Sequence, residues 1–233
     1  MTGRFLAAIA VLATTAIAAA DSVTMRFVNP GPGRAVNIRI DGEQHYVHAG
    51  QLNHQILSRS GPSAPAVGML ATYCVDVAEW VSPQGVTYDV RELTDAPVAG
   101  GNNGMDAHKA AAIARLYTYA NGQQFSTNNN FSAAFQLAIW EIVADMDTDS
   151  TTLSINDGDF RAWGLNGGTA GHLATLLAVA TDHTIAIRSR LLALTNDGAQ
   201  DQLFQVAVPL PTTGALAAVG LAGAGLLSRR RRA

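Results

Sequence analysis

The chain has 233 residues and a formal net charge of −3, with 14% charged and 48% hydrophobic residues, enough for one sizeable core. Five arginines, Arg4 and Arg229 to Arg232, lie in terminal segments that hold no acidic residue, so the stretch between them carries about −8. A body that acidic argues against nucleic acid and against an anionic membrane surface as partners.

Residues 1–20 read as an export signal: Arg4, an apolar run from Phe5 to Ala13, and Ala18-Ala19-Ala20 ahead of Asp21. Residues 21–207 then form a single predicted domain. From Val23 to Ile40 the pattern predicts two short strands around a loop at Asn29-Pro30-Gly31-Pro32-Gly33, with a turn at Asp41-Gly42. His45 and His48 are three apart on a predicted strand, so they face opposite sides and share no metal. Gln55 to Ala66 reads as a loop.

Leu70 to Trp80 predicts a strand with Tyr73, Val75 and Val77 in one row and Thr72, Cys74, Asp76 and Ala78 in the other. Cys74 is the only cysteine, so no internal disulfide forms; the plain alternative for it is a small buried hydrophobe. A hairpin is expected near Ser82-Pro83-Gln84-Gly85, and a glycine- and asparagine-rich loop at Gly100 to Gly104. Asp106 predicts a cap for a helix over Ala107 to Ala120, ended by Asn121-Gly122. This helix carries Lys109, the only lysine.

The next helix puts an amide where apolar side chains belong. At about 100° per residue, Phe135, Ile139, Ile142 and Val143 make one face, widened by Trp140. Gln136 projects inside that arc, while Glu141 and Asp145 point the other way. A buried carboxamide without partners costs on the order of 1 to 3 kcal/mol, so Gln136 requires hydrogen bonds or a covalent bond.

Asp145, Asp147 and Asp149 alternate like the opening of a calcium loop. Ser150 replaces the glycine of its sharp turn, however, and Asn156 its closing glutamate, so no metal is expected. Asn156-Asp157-Gly158 is a turn, Thr169 to Leu194 is helical in pattern with a break near Thr181, and Leu203 to Val208 is a final strand. His172 and His183 fall too far apart along that helical stretch to ligate one metal. Together these elements predict an α+β fold: an antiparallel β framework, sandwich- or barrel-like, with a helical subdomain carrying the glutamine helix.

Residues 208–233 comprise Val208-Pro209-Leu210-Pro211, an apolar glycine-rich span from Thr212 to Ser228, and Arg229, Arg230, Arg231 and Arg232. The span is just long enough to cross a bilayer, with the arginines at its cytoplasmic end. This tail resembles the PEP-CTERM sorting signals read by exosortases, with Leu210 where glutamate is commonest. Leu210-Pro211-Thr212-Thr213-Gly214 also matches a sortase motif. Either resemblance implies an exported bacterial protein, transiently anchored in the inner membrane by this segment, processed by an exosortase or sortase-like enzyme and delivered to the cell surface.

Tyr73-Cys74-Val75-Asp76 and Phe135-Gln136-Leu137-Ala138-Ile139-Trp140 resemble the two halves of a bacterial Cys-Gln thioester domain. In that family the glutamine motif usually begins with Thr, where this chain has Phe135. The resemblance implies a Cys74–Gln136 thioester in an adhesin, positioned or shielded by Tyr73, Asp76 and Trp140. Its expected partner is an amine on another surface, such as a protein lysine, captured once without turnover and without a cofactor. Two alternatives stand beside it. One is a structural protein of the biofilm matrix, associated with extracellular polysaccharide and lacking the thioester; the other is a cysteine amidase or transamidase with His172 or His183 as base.

Overall fold

The computed structural model describes residues 20–77, 79–97 and 104–206. The export signal up to residue 19 and the sorting segment, with Val208, Pro209, Leu210, Pro211 and Arg229 to Arg232, lie outside the described residues, as does Ala78. Among the described residues no helix is long and apolar enough to cross a membrane.

Seven strands, β1 (Ser22–Ile40), β2 (Glu43–Ser60), β3 (Gly68–Cys74), β4 (Val86–Glu92), β5 (Arg161–Trp163), β6 (Arg190–Thr195) and β7 (Gln202–Val206), form one sheet in the order β2-β3-β7-β6-β4-β1-β5. All pairings are antiparallel, and a further β1–β2 pairing closes six of the strands into a ring, leaving β5 on the distal end of β1. The fold is α+β with a barrel-like antiparallel framework. Closure removes sheet edges that would otherwise be left unpaired.

Every strand of the ring contributes to a small inner core through Met25, Ile56, Leu70, Tyr88, Leu194 and Phe204. A larger core lies between the distal half of the β1–β2 ribbon and helices α1 (Ala107–Ala120), α2 (Asn129–Asp145) and α3 (Gly167–Thr181). α1 begins and ends as its sequence predicts: Asp106 accepts a hydrogen bond from the Lys109 amide, and Asn121 adopts the left-handed conformation. α2 is capped by the Asn128 side chain, which accepts from the Asn130 and Phe131 amides.

Several expectations are corrected. Val23 to Ile40 is one long strand, its proline-glycine stretch absorbed as register shifts at Phe27/Asn29 and Pro30/Gly33 without breaking the pairing to β2. Residues 55–60 continue β2 and are not loop. Strand β3 ends at Cys74, short of Trp80, and its hairpin with β4 does not exist, since β7 and β6 lie between them. The helical pattern of 169–194 ends at Thr181, and Arg190–Thr195 is a central strand whose continuous apolar run suits either state.

Glu141 does not face solvent. Residues Phe131 to Ala144 of α2 are all buried, because the 150–160 segment wraps the side opposite the sheet. Each of its fully buried Phe, Leu and Ile side chains contributes roughly 1.5 to 3 kcal/mol, which fixes this helix firmly against β3.

Candidate functional site

The end of β3 and the middle of α2 bring Cys74 and Gln136 together. The Gln136 carboxamide is 1% exposed and bonds the main chain of Cys74 twice: Nε2 donates to the Cys74 carbonyl at 2.8 Å, and the Cys74 amide donates to Oε1 at 3.0 Å. Beyond Cys74 the chain leaves the strand, and the Val75 amide donates to the Asp201 carbonyl at 3.1 Å. The cysteine's own N–H and C=O are thereby available to α2 rather than to a neighbouring strand.

This arrangement has a chemical consequence. The Cys74 amide polarises the Gln136 side-chain carbonyl, and the Cys74 carbonyl orients its amide nitrogen. The thiol itself donates to the Asp76 carbonyl at 2.6 Å. Burial holds its pKa well above the ordinary range, opposed by the Trp140 N–H and reinforced by the carboxylates of Asp76 and Asp201. The sulfur is therefore a buried thiol rather than an exposed thiolate.

The other expected site residues lie close by. Tyr73 packs its ring on Phe135 at 4.9 Å, donates its hydroxyl to the Gln124 carbonyl, and is held far above a normal phenol pKa by burial. Asp76 is buried beside the thiol. Trp140 is 4% exposed and stacks at a tilt on Phe160. Its Nε1 is near enough to the sulfur to favour a thiolate, yet has no regular hydrogen bond.

A cleft of about 620 Å³ runs from the surface to this pair, with Cys74, Gln136 and Trp140 among its walls. Its mouth carries Asp41, Glu43 and His45 from the β1–β2 turn and Glu79 and Trp80 from the segment after β3. His48 also borders it, its ring packed toward Gly33 and Gly50 and its pKa lowered by burial. Thus His45 and His48, expected on opposite sides of their strand, both reach one cleft. A larger cavity of about 680 Å³ between α3 and the 151–156 segment includes neither Cys74 nor Gln136.

His172 and His183 are elsewhere: His172 sits against Phe131, and His183, past the end of α3, against His108. Among the described residues no group of side chains is arranged to hold a metal; Asp145 instead accepts from the amides of Asp159 and Phe160, and Asp147 from Ser150 and Asp149.

Sequence reasoning missed Asp201, buried at 1% with Oδ1 bonded to the Asn196 amide and Oδ2 unpartnered, its pKa pushed up to about 7 by burial and by Asp76 and Glu79. Its place beside Cys74 follows from the β3–β7 pairing, which no local signal in the sequence shows. No protein-family model, curated protein or solved structure matches this chain.

Proposed function

We propose that the protein is an exported surface adhesin that joins Cys74 to Gln136 in an internal thioester and yields it to an amine on a partner surface. The observation that carries this reading is the double hydrogen bond between the Gln136 carboxamide and the Cys74 main chain, closed within the core. Cys74 Sγ adds to the Gln136 side-chain carbon, the C–N bond breaks, and the thiol proton leaves with the nitrogen as ammonia. Proximity and a polarised carbonyl carry the step in place of an acid-base apparatus. A primary amine then attacks the same carbon, the C–S bond breaks, and a proton from the amine ends on sulfur. The product is an amide to the partner and a free Cys74 thiol, formed once per chain.

Lys109 supports this reading. The sole lysine buries its ammonium on the Val143 and Gly104 carbonyls at 2.8 and 3.0 Å, so no lysine of a neighbouring copy competes for the thioester.

Intact mass of the mature protein tests it. A mass one ammonia below the sequence value is expected, restored to the full value by Cys74→Ala together with loss of amine capture. An unmodified mass in freshly isolated protein overturns it.

A second reading is favoured by the same bonds. Both polar atoms of Gln136 already have partners, so a non-covalent staple between β3 and α2 also accounts for its burial. The protein is then a structural component of the extracellular matrix, and full mass with measurable polysaccharide affinity supports it.

A further inference from the structure

The cleft over Cys74 and Gln136 has an electrostatic character of its own. Asp41, Glu43 and Glu79 border it, and among the described residues no lysine or arginine does. The titratable bases on its walls, among the described residues, are His45, 3.8 Å from Glu43, and His48, held toward its neutral form by burial. Behind the mouth lie the buried carboxyls of Asp76 and Asp201. Glu79 registers the negative field: its pKa is raised by partial burial and then by Asp76 and Asp197.

Two further features point to a ligand. Trp80 is 72% exposed at this mouth, an indole face left bare where most aromatic side chains of the chain are packed. Trp140, more than nine-tenths buried on the cleft wall, keeps an N–H with no regular partner beside the sulfur, where negative charge collects when the sulfur is displaced. The acidic residues, the exposed indole of Trp80 and Trp140 all border the cleft that includes Gln136.

We propose that this cleft selects a primary amine accompanied by a second positive charge, with Asp41, Glu43 and Glu79 holding that charge and Trp80 covering the carbon chain between. The proposal deepens the adhesin reading by naming the class of amine, and it rests on that reading only for the covalent step. A cation beside several gathered carboxylates, of which Glu79 is partly buried, gains more than one in bulk water, and the indole adds a cation–π contribution. A monoamine whose only nitrogen must be neutral to attack retains no cation for these groups, and a zwitterionic amine sets its own carboxylate against the same lip.

The test uses the whole chain carrying Cys74→Ala, in which no thioester forms, titrated calorimetrically with diaminobutane, butylamine and aminobutyrate. Diaminobutane is expected to bind about tenfold or more tighter than butylamine at low salt, with the preference shrinking as ionic strength rises. The paired change Glu43→Gln with Glu79→Gln is expected to remove most of that preference, whereas Trp80→Ala weakens both amines. Competition with a peptide bearing adjacent lysines separates the sources: displacement identifies a basic protein segment, and its absence identifies a free diamine.

Equal binding of diaminobutane and butylamine, or a preference that survives the paired change, overturns the proposal. Where the alanine variant fails to fold, the wild-type chain treated with hydroxylamine, which opens any thioester, gives the same readout. The adhesin reading fails separately, on the intact mass of untreated protein.

Discussion

Gln136 and Glu141 stand on opposite faces of α2, five residues apart, and both are 1% exposed. On the sheet side each polar atom of the amide has a partner: Nε2 meets the carbonyl and Oε1 the N–H of Cys74. On the loop side the carboxyl accepts from the Ser154 amide at 2.7 Å through Oε1, while Oε2 is buried without a partner. Burial, then the nearby charge of Asp145, raises the Glu141 pKa to about 8. The same helix is therefore held by a pH-independent joint against β3 and by a titrating joint against the 150–160 segment. A neutral amide serves where geometry must persist, and a carboxyl that keeps its proton up to about pH 8 serves on the loop side.

Breaking the sheet-side joint has the largest expected effect. Gln136→Leu leaves the Cys74 N–H and C=O buried and unpaired, and the expected loss is about 2 to 5 kcal/mol, measured by denaturant unfolding. A loss below about 1 kcal/mol would show that this two-bond joint carries little of the helix's attachment.

Glu141→Gln addresses the loop side, and here the direction depends on pH. The folded-state pKa is raised from 4.5 to about 8, so the folded protein keeps a proton that the unfolded chain releases. The stability tied to that proton is complete below about pH 4.5 and is lost as pH rises through about 8, with a slope of up to about 1.4 kcal/mol per pH unit. The glutamine variant is expected to flatten that slope and to be about 1 to 3 kcal/mol more stable than wild type above pH 8. Unfolding free energies across this range check both. Asp201, raised to about 7, adds a similar fall between about pH 3.8 and 7 that Glu141→Gln leaves in place.

The sheet side of α2 was legible in the sequence and the loop side was not, for one physical reason. Periodicity locates Gln136 inside an apolar arc, and a lone cysteine two residues before an aspartate marks a second unusual position. Both signals are local and both residues meet. Glu141 reads as solvent-facing because residue type reports polarity, whereas its cover comes from a segment ten or more residues later whose aspartates suggest a loop and nothing more. The strand order that closes the ring was equally hidden. It depends on β6 and β7 inserting between β3 and β4, and Arg190–Thr195 has the continuous apolar run that a helix or an interior strand shares. The α1 boundaries were readable to the residue because capping is a short-range interaction.

Removing the α2 cap weakens both faces alike and serves as the reference. Asn128→Ala removes the acceptor for the Asn130 and Phe131 amides and is expected to cost about 1 kcal/mol. The pH slope should remain that of wild type. A changed slope would mean that Glu141 depends on the helix start as well as on the segment wrapping it.

The smallest stability effect is expected at Trp140, which sits between the two faces beside Cys74. Trp140→Phe sacrifices some packing volume but also removes a buried N–H with no regular hydrogen bond, two contributions of opposite sign and about 1 kcal/mol each, so thermal stability should barely move. The thiol should nonetheless respond. The Trp140 N–H is the one neighbouring side-chain group that favours the Cys74 thiolate against burial, Asp76 and Asp201. With phenylalanine in its place, alkylation of Cys74 in hydroxylamine-opened protein should require higher pH than in wild type, while the unfolded chains of the two proteins react alike. Coincident pH profiles in the folded proteins would assign Trp140 to shielding alone, and the cysteine's chemistry would then rest on Gln136 and the main chain.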